Sequence, residues 1–365
     1  MLFWSSSAHR PNRARTAWRL TPWLALGVML ALWPRRGGDM NASALAELEQ
    51  GRGRHADSPG EIPAAGWRDI LWRAWKEFNA DKVLNVAAGV AFFGVLAIFP
   101  GMAAFVSMYG LFGDIGGAQR QLAALTGVLP ADSLTFIGTE MARIASNKTS
   151  SLSLTFVFSL LLSIWSANAG VKGLFVGLNI AYEEQEKRGF VKLNLISLSF
   201  TLLTLLFLAL AMAAMVAAPV VMQAVYLDPK SRLLAALRWP LLLLVVMAGL
   251  SLVYRFGPSR EHARWRWITF GSGVAAFGWL IVSILFSWYV GAFAHYDVTY
   301  GSLGAIIGFM TWLWLTATVI LLGAELNAEV EHQTATDTTT GAPAPMGLRG
   351  ARMADTLGKA ASTGK

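Results

Sequence analysis

The chain has 365 residues, of which 55% are apolar and 14% charged, with a mean hydropathy of +0.49. Soluble domains carry about 25% charged residues, so an ordinary soluble enzyme is excluded and lipid is the expected solvent. The lack of cysteine excludes disulfides, thiolate metal sites and cysteine nucleophiles; the +8 formal charge is local, since residues 1–39 hold six Arg and one Asp and contribute +5 of it.

The N-terminal extension, residues 1–66, reads as mostly disordered. Leu20–Trp33 is apolar but too short to span, and no small-residue cleavage site follows it. Every basic residue in 1–39 except His9 is Arg, which suits an over-extended start with Met40 as the physiological one; an uncleaved anchor is the alternative. Residues 40–66 carry only a short helical stretch at Ala42–Glu49. Trp67–Val83 places apolar residues at 67, 71, 75 and 78, a helical spacing that predicts an amphipathic helix on the cytoplasmic membrane surface.

Six apolar runs follow, each long enough for about 30 Å of hydrocarbon. They are Val86–Phe112, Leu152–Val171, Leu193–Tyr226, Leu233–Phe256, Ile268–Phe293 and Ser302–Leu322. The third exceeds one membrane thickness, so it is one long tilted helix or a helix bent at Pro219; the uninterrupted apolar run favours one helix. Residues 333–365 are rich in Thr, Ala, Gly and Pro and predict a disordered cytoplasmic tail. Fold and domain organisation are therefore an all-α six-helix membrane bundle over residues 67–332 between two disordered ends.

Basic residues orient the bundle. Arg52, Arg54, Arg68, Arg73, Lys76 and Lys82 precede the first span; Lys172, Lys187, Arg188 and Lys192 follow the second; Arg255, Arg260, Arg264 and Arg266 follow the fourth. The opposite loops are poorer in Lys and Arg, and the third-to-fourth connection is the weakest contrast. Both termini are expected in the cytoplasm.

Three blocks carry a resemblance: NVAAGVAFFGVLAIFPGMAAF at Asn85–Phe105, IWSANAGVKGLFVGLNIAYEEQEKRGFVKLNLISL at Ile164–Leu198, and the stretch from YRFGPS at Tyr254 to GAELNAEVEH at His332, with YDVTYGSLGAIIGFMTWLWL inside it. Their order and spacing resemble the YihY/BrkB family of bacterial inner-membrane proteins over roughly residues 67–332. Thr269–Ser272 departs from the Pro-Gly-Ala pattern usual there, which puts a special bend at that place in doubt. The resemblance implies six transmembrane helices in one domain and leaves the biochemical role open. It also brings an old ribonuclease label. A metal-dependent nuclease needs clustered ligands, but the five His, at 9, 55, 262, 295 and 332, are never closer than 33 residues in sequence.

The chain contains no phosphate-cradling G-x-x-x-x-G-K-[ST], no G-x-S-x-G elbow and no H-E-x-x-H pair. No enzyme activity, cofactor or metal is expected, and no nucleic-acid partner. Polar groups inside apolar helices remain, because they are costly there. Asn168, Lys172 and Asn179 recur on one helical face. They either line a polar path, in which Lys172 attracts an anionic headgroup or pairs with Glu325, or simply mark the interface. Glu325 is likewise either a partner for Lys172 or the loop arginines, or a solvated helix end. Trp288, Tyr296 and Tyr300 suit an interfacial aromatic belt better than a binding site. Pro100 predicts a kink in the first span. Small-residue pairs Ala87/Ala91, Gly173/Gly177 and Gly304/Gly308 predict close helix packing. Two functional classes follow: a transporter or flippase-like mover of lipid or an envelope solute, and a non-transporting envelope scaffold. The expected partners are membrane lipids, with a second copy or envelope proteins left open.

Overall fold

The computed structural model describes residue 49, residues 51–112, 152–224, 232–293 and 303–361, and a few residues between 134 and 142. Its helices are α1 (Ala64–Ala80), α2 (Val83–Phe112), α3 (Leu152–Ala181), α4 (Phe190–Ala224), α5 (Arg232–Phe256), α6 (Trp265–Phe293), α7 (Leu303–Glu331) and the single turn α8 (Arg352–Asp355). The described residues contain no strand, only an antiparallel bridge between Ala263 and Thr339. Among the described residues five stretches are long and apolar enough to cross a membrane: Val83–Ala104, Phe156–Ala181, Phe190–Phe207, Trp265–Val290 and Ile306–Glu331; Pro240–Phe256 is a shorter apolar stretch.

Helices α2 and α3 pack along each other, and α7 lies against α6, α2 and α1. Their shared core includes Ala87, Phe175, Leu178, Tyr254, Ala275, Leu321 and Ala324. Small residues set the spacing. A Cβ on Gly271 would lie 2.1 Å from Gly323 O, so α6 and α7 cross backbone to backbone there. Asn327 of α7 locks the crossing, its Oδ1 accepting from Gly271 N (2.7 Å) and its Nδ2 donating to Ile268 O (3.0 Å). A Cβ on Gly177 would meet Leu321 at 2.7 Å. Ala87, Ala91, Gly304 and Gly308 are buried as well.

Helix α2 runs unbroken through Pro100. Proline cannot donate to the carbonyl four residues back, and beside that place Ser163 of α3 donates to Ala97 O (3.2 Å). Helix α4 is one element of 35 residues; the Pro219 side chain lies outside the described residues.

Within the described residues, two segments expected to be disordered are placed against the bundle. Residues 51–66 and 333–361 form a cap over one end of the bundle, burying Arg54, Ile62, Gln333, Thr334, Thr338 and Met353. Composition misjudged them because they build no core of their own; they are held by hydrogen bonds to each other and to helix ends. Ala335 N donates to Arg54 O (2.8 Å), Thr334 Oγ1 to Ala56 O (2.8 Å) and Gly358 N to His332 O (2.8 Å). Arg349 donates to four carbonyls of its own segment, Ala335, Thr336, Ala344 and Ala354. Residues 1–39, Met40 and all of Ala42–Glu49 but its last residue lie outside the described residues.

Candidate functional site

The same end of the bundle carries a cavity of about 780 Å³ between the start of α4, the α5–α6 loop and Gly350 of the tail. Two loops build it. The α3–α4 loop leaves the helix through Glu183, whose φ of +50° is left-handed, and Glu184 N donates back to Asn179 O (2.7 Å). Asn179 then ties this loop to the α5–α6 loop: its Nδ2 donates to Glu186 (3.1 Å) and its Oδ1 accepts from Ser259 N (2.7 Å). Ser259 Oγ in turn accepts from Lys187 N (2.9 Å).

Arg188 fills the seam between the loops. It grips Glu186 in a two-point pair, both distances 2.7 Å, and donates to Gly257 O (2.8 Å) with its guanidinium over the Phe175 ring. That contact holds the Glu186 carboxyl down at about 2. Lys187, Lys192, Arg260, Glu261 and His262 give the cavity a charged and polar lining, and Leu195, Ile196 and Phe200 of α4 give it an apolar wall. Burial and the nearby Arg255 keep the His262 imidazole below its usual range, so the ring is neutral at pH 7.

Beneath the cavity lies a buried ion network. Arg260 donates to Glu331 (2.6 Å), which also accepts from Thr338 Oγ1 (3.0 Å). Arg73 of α1 pairs with Glu329 and donates to Gln333 Oε1 (2.8 Å) and Lys359 O (2.9 Å). Asp69 accepts both Arg52 contacts (2.7 and 2.8 Å) and Ala361 N (2.9 Å). A charge removed from water needs such partners, and the tail supplies many of them.

The residues singled out in the sequence scatter around this site. Asn179 is its pin. Lys172 donates to Asn194 of α4, not to Glu325. Asn168 is buried, its Oδ1 without a hydrogen-bond partner among the described residues. Glu325 is 1% exposed, which removes the solvated-end reading, and it lies beside Asp81. Burial and the Glu77 carboxylate push Asp81 up to about 6. None of Asn168, Lys172, Asn179 and Glu325 lines the cavity. Trp288 is 62% exposed, as an outward-facing aromatic should be; Tyr296 and Tyr300 lie outside the described residues. Lys192 and Arg260 read in the sequence only as orientation signals, and what was missing is that the start of α4 and the α5–α6 loop meet. Among the described residues no group of three or more His, Asp or Glu is placed to hold a metal ion.

Residues 74–346 match the family described as Virulence factor BrkB, a region that holds the seven long helices apart from the first turns of α1, and all of the cavity except Gly350. The chain belongs to the BrkB family. The ribonuclease-like protein YfkH of Bacillus subtilis (strain 168) is 29% identical over 268 residues, covering 71% of this chain and 94% of that one. A UPF0761 membrane protein of Chromohalobacter salexigens is 26% identical over 268 residues, 72% of this chain and 64% of its own length. One from Chlorobium phaeobacteroides is 29% identical over 261 residues, 69% and 55% respectively. No solved structure matches. This BrkB chain is a multi-pass membrane protein, which agrees with its apolar helices and their lipid-suited exposure.

Proposed function

We propose that this BrkB-family chain crosses the bacterial inner membrane six times and moves an amphiphile, a lipid or envelope solute, taken from the cytoplasmic leaflet. The observation that carries the reading is the cavity of about 780 Å³, polar on its rim and apolar along a membrane-spanning helix. Such a site suits a molecule whose head is held by polar groups while its chain stays in the bilayer. The chain acts as a carrier and not as an enzyme.

The packing supports six crossings. Described segments near both ends of the chain meet through Ala335 and Arg54, and two ends on one side require an even number. Helix α5, 25 residues long, supplies the sixth. The α3–α4 and α5–α6 loops and the first turn of α4 lie at that same end and carry Lys187, Arg188, Lys192, Arg260 and Arg264, which the positive-inside rule assigns to the cytoplasm. Leu71, Trp72 and Trp75 are exposed on α1 while Asp69 and Arg73 are buried, the pattern of a helix lying on a membrane surface.

Reconstitution into vesicles holding a fluorescent phospholipid, quenched from outside by dithionite, tests the reading. The wild type should expose inner-leaflet probe faster than protein-free vesicles. Ser199→Trp, which fills the cavity from an exposed position on α4, should return the rate to background. Equal rates for wild type and variant would contradict movement through this cavity and favour the scaffold class.

A further inference from the structure

We propose that residues 347–355 of the tail are a strap across the mouth of the cavity, latched to both of its loops when the cavity is closed and released when it loads. The inference rests on the amphiphile reading and adds a gate to the same site.

The strap has an anchor and a latch. In the anchor, Met353 and Ala354 are buried, Met353 within the core shared by the long helices. Asp355 accepts from Gly347 N (2.7 Å) and Arg349 N (2.9 Å), and Arg349 Nη1 donates to Ala354 O (2.7 Å), so this turn holds its own shape. The latch touches both rims. Gly350 lines the cavity, and its carbonyl accepts from Glu261 N of the α5–α6 loop (3.2 Å). Two residues on, Arg352 N donates to Glu184 Oε1 of the α3–α4 loop (2.7 Å), and the Arg352 guanidinium faces Glu183 at 3.4 Å. The other Glu184 oxygen accepts from Lys187 Nζ (2.7 Å), a lysine of the cavity lining. Strap, rim and lining thus meet on one carboxylate.

The latch is the weak part. Arg352 and Glu183 are 58% and 48% exposed, and exposed ion pairs contribute little. The bond from Glu261 N is long, and only backbone closes that side. Segments that open locally are those with few buried contacts and solvent-exposed hydrogen bonds, and lids over binding sites are drawn from them. Gly347 and Gly350 have φ of +92° and +71°, left-handed turns that glycine takes without a Cβ penalty, and they bound the piece that would swing. The seam between the two loops is tighter: Asn179 Oδ1 accepts from Ser259 N (2.7 Å) and Arg188 donates to Gly257 O (2.8 Å). The latch therefore opens while the seam stays closed.

The chain has no natural cysteine, and a Cβ on Gly350 would stand 3.8 Å from Glu261 Cβ, inside the range of about 3.5–4.5 Å that a disulfide bridges. The double variant Glu261→Cys/Gly350→Cys should therefore cross-link on oxidation and lock the latch. Strain from the substitutions is common to the oxidised and reduced forms, so comparing them isolates the lock. Movement of a short-chain fluorescent phospholipid in vesicles is read by albumin extraction, since dithionite would itself attack the disulfide. The oxidised protein should fall to the protein-free rate and recover on reduction. A second readout needs no transport: Ile196→Cys, on the partly buried wall of the cavity, is labelled in the detergent-purified full chain with a charged maleimide. Adding Arg352→Glu, an exposed substitution that sets a carboxylate against Glu183 and Glu184, should raise its labelling rate several-fold. Failure of the cysteine pair to cross-link, or equal lipid movement in the oxidised and reduced forms of an active protein, would overturn the strap and leave the carrier reading standing. Where the reduced protein moves no lipid, the labelling decides: a faster rate with Arg352→Glu keeps the strap and an unchanged rate overturns it. Absence of movement by the wild type counts against the carrier reading alone.

Discussion

From Leu195 to Phe207, α4 exposes Leu195, Leu202, Leu203, Leu206 and Phe207, whereas the last turns of α7 bury Glu325, Asn327, Glu329 and Glu331. Both stretches belong to long apolar helices, and each inverts what a soluble protein does. In hydrocarbon an outward leucine gains and loses little, because lipid tails are as apolar as its neighbours. A charge there must turn inward and find partners. The middle of the bundle is held by shape and its end by ion pairs, so the two regions should respond very differently to mutation.

The largest effect belongs to the charged end. Arg73→Met leaves Glu329 buried without its guanidinium and should cost about 3–5 kcal/mol, read as a lowered melting temperature and poor accumulation in the membrane. Gly271→Val drives a side chain into the backbone of α7, where Gly323 O would be 2.1 Å from its Cβ. We expect a loss of about 1–3 kcal/mol, measured in the same melting experiment.

These two regions were not equally legible. Five of the apolar runs of the sequence coincide with stretches long and apolar enough to cross a membrane, because hydrocarbon thickness fixes the length and composition of anything that crosses it. The cap was not legible. Arg73 and Glu329 are 256 residues apart, and Arg54 meets Gln333 across 279. No local pattern in a Thr- and Ala-rich tail announces that its hydrogen-bond partners wait at the other end of the chain. The cavity was half legible: its Lys and Arg were counted as loop charges, but the ties through Asn179, Lys187 and Arg188 that bring the loops together were not. Lys172 and Glu325 were sensible candidates as intramembrane charges, and each found a different neighbour.

A smaller effect, with a pH signature, comes from Asp81 at the join of α1 and α2. Its folded pKa of about 6 lies above the ordinary 3.8, with burial the main cause. The folded state therefore holds the proton more tightly, and stability falls as pH rises from about 4 to about 6 and stays lower above that. Asp81→Asn should flatten this slope and melt higher than the wild type at pH 8, the difference shrinking toward pH 4. Smallest of all, Leu203→Ile on the lipid face should shift stability by no more than about 0.5 kcal/mol. A loss there comparable with that of Arg73→Met would erase the distinction between the two regions.

The orientation of the charged cap decides which leaflet the cavity faces, and the absence of natural cysteine makes it directly measurable. Single-cysteine variants Glu261→Cys, exposed on the cavity rim, and Asp297→Cys, in the sequence between α6 and α7, can be labelled in intact cells with a membrane-impermeant maleimide. The account predicts labelling at 297 alone in intact cells and at both positions once the inner membrane is permeabilised. Labelling at 261 in intact cells, with none at 297, would contradict it.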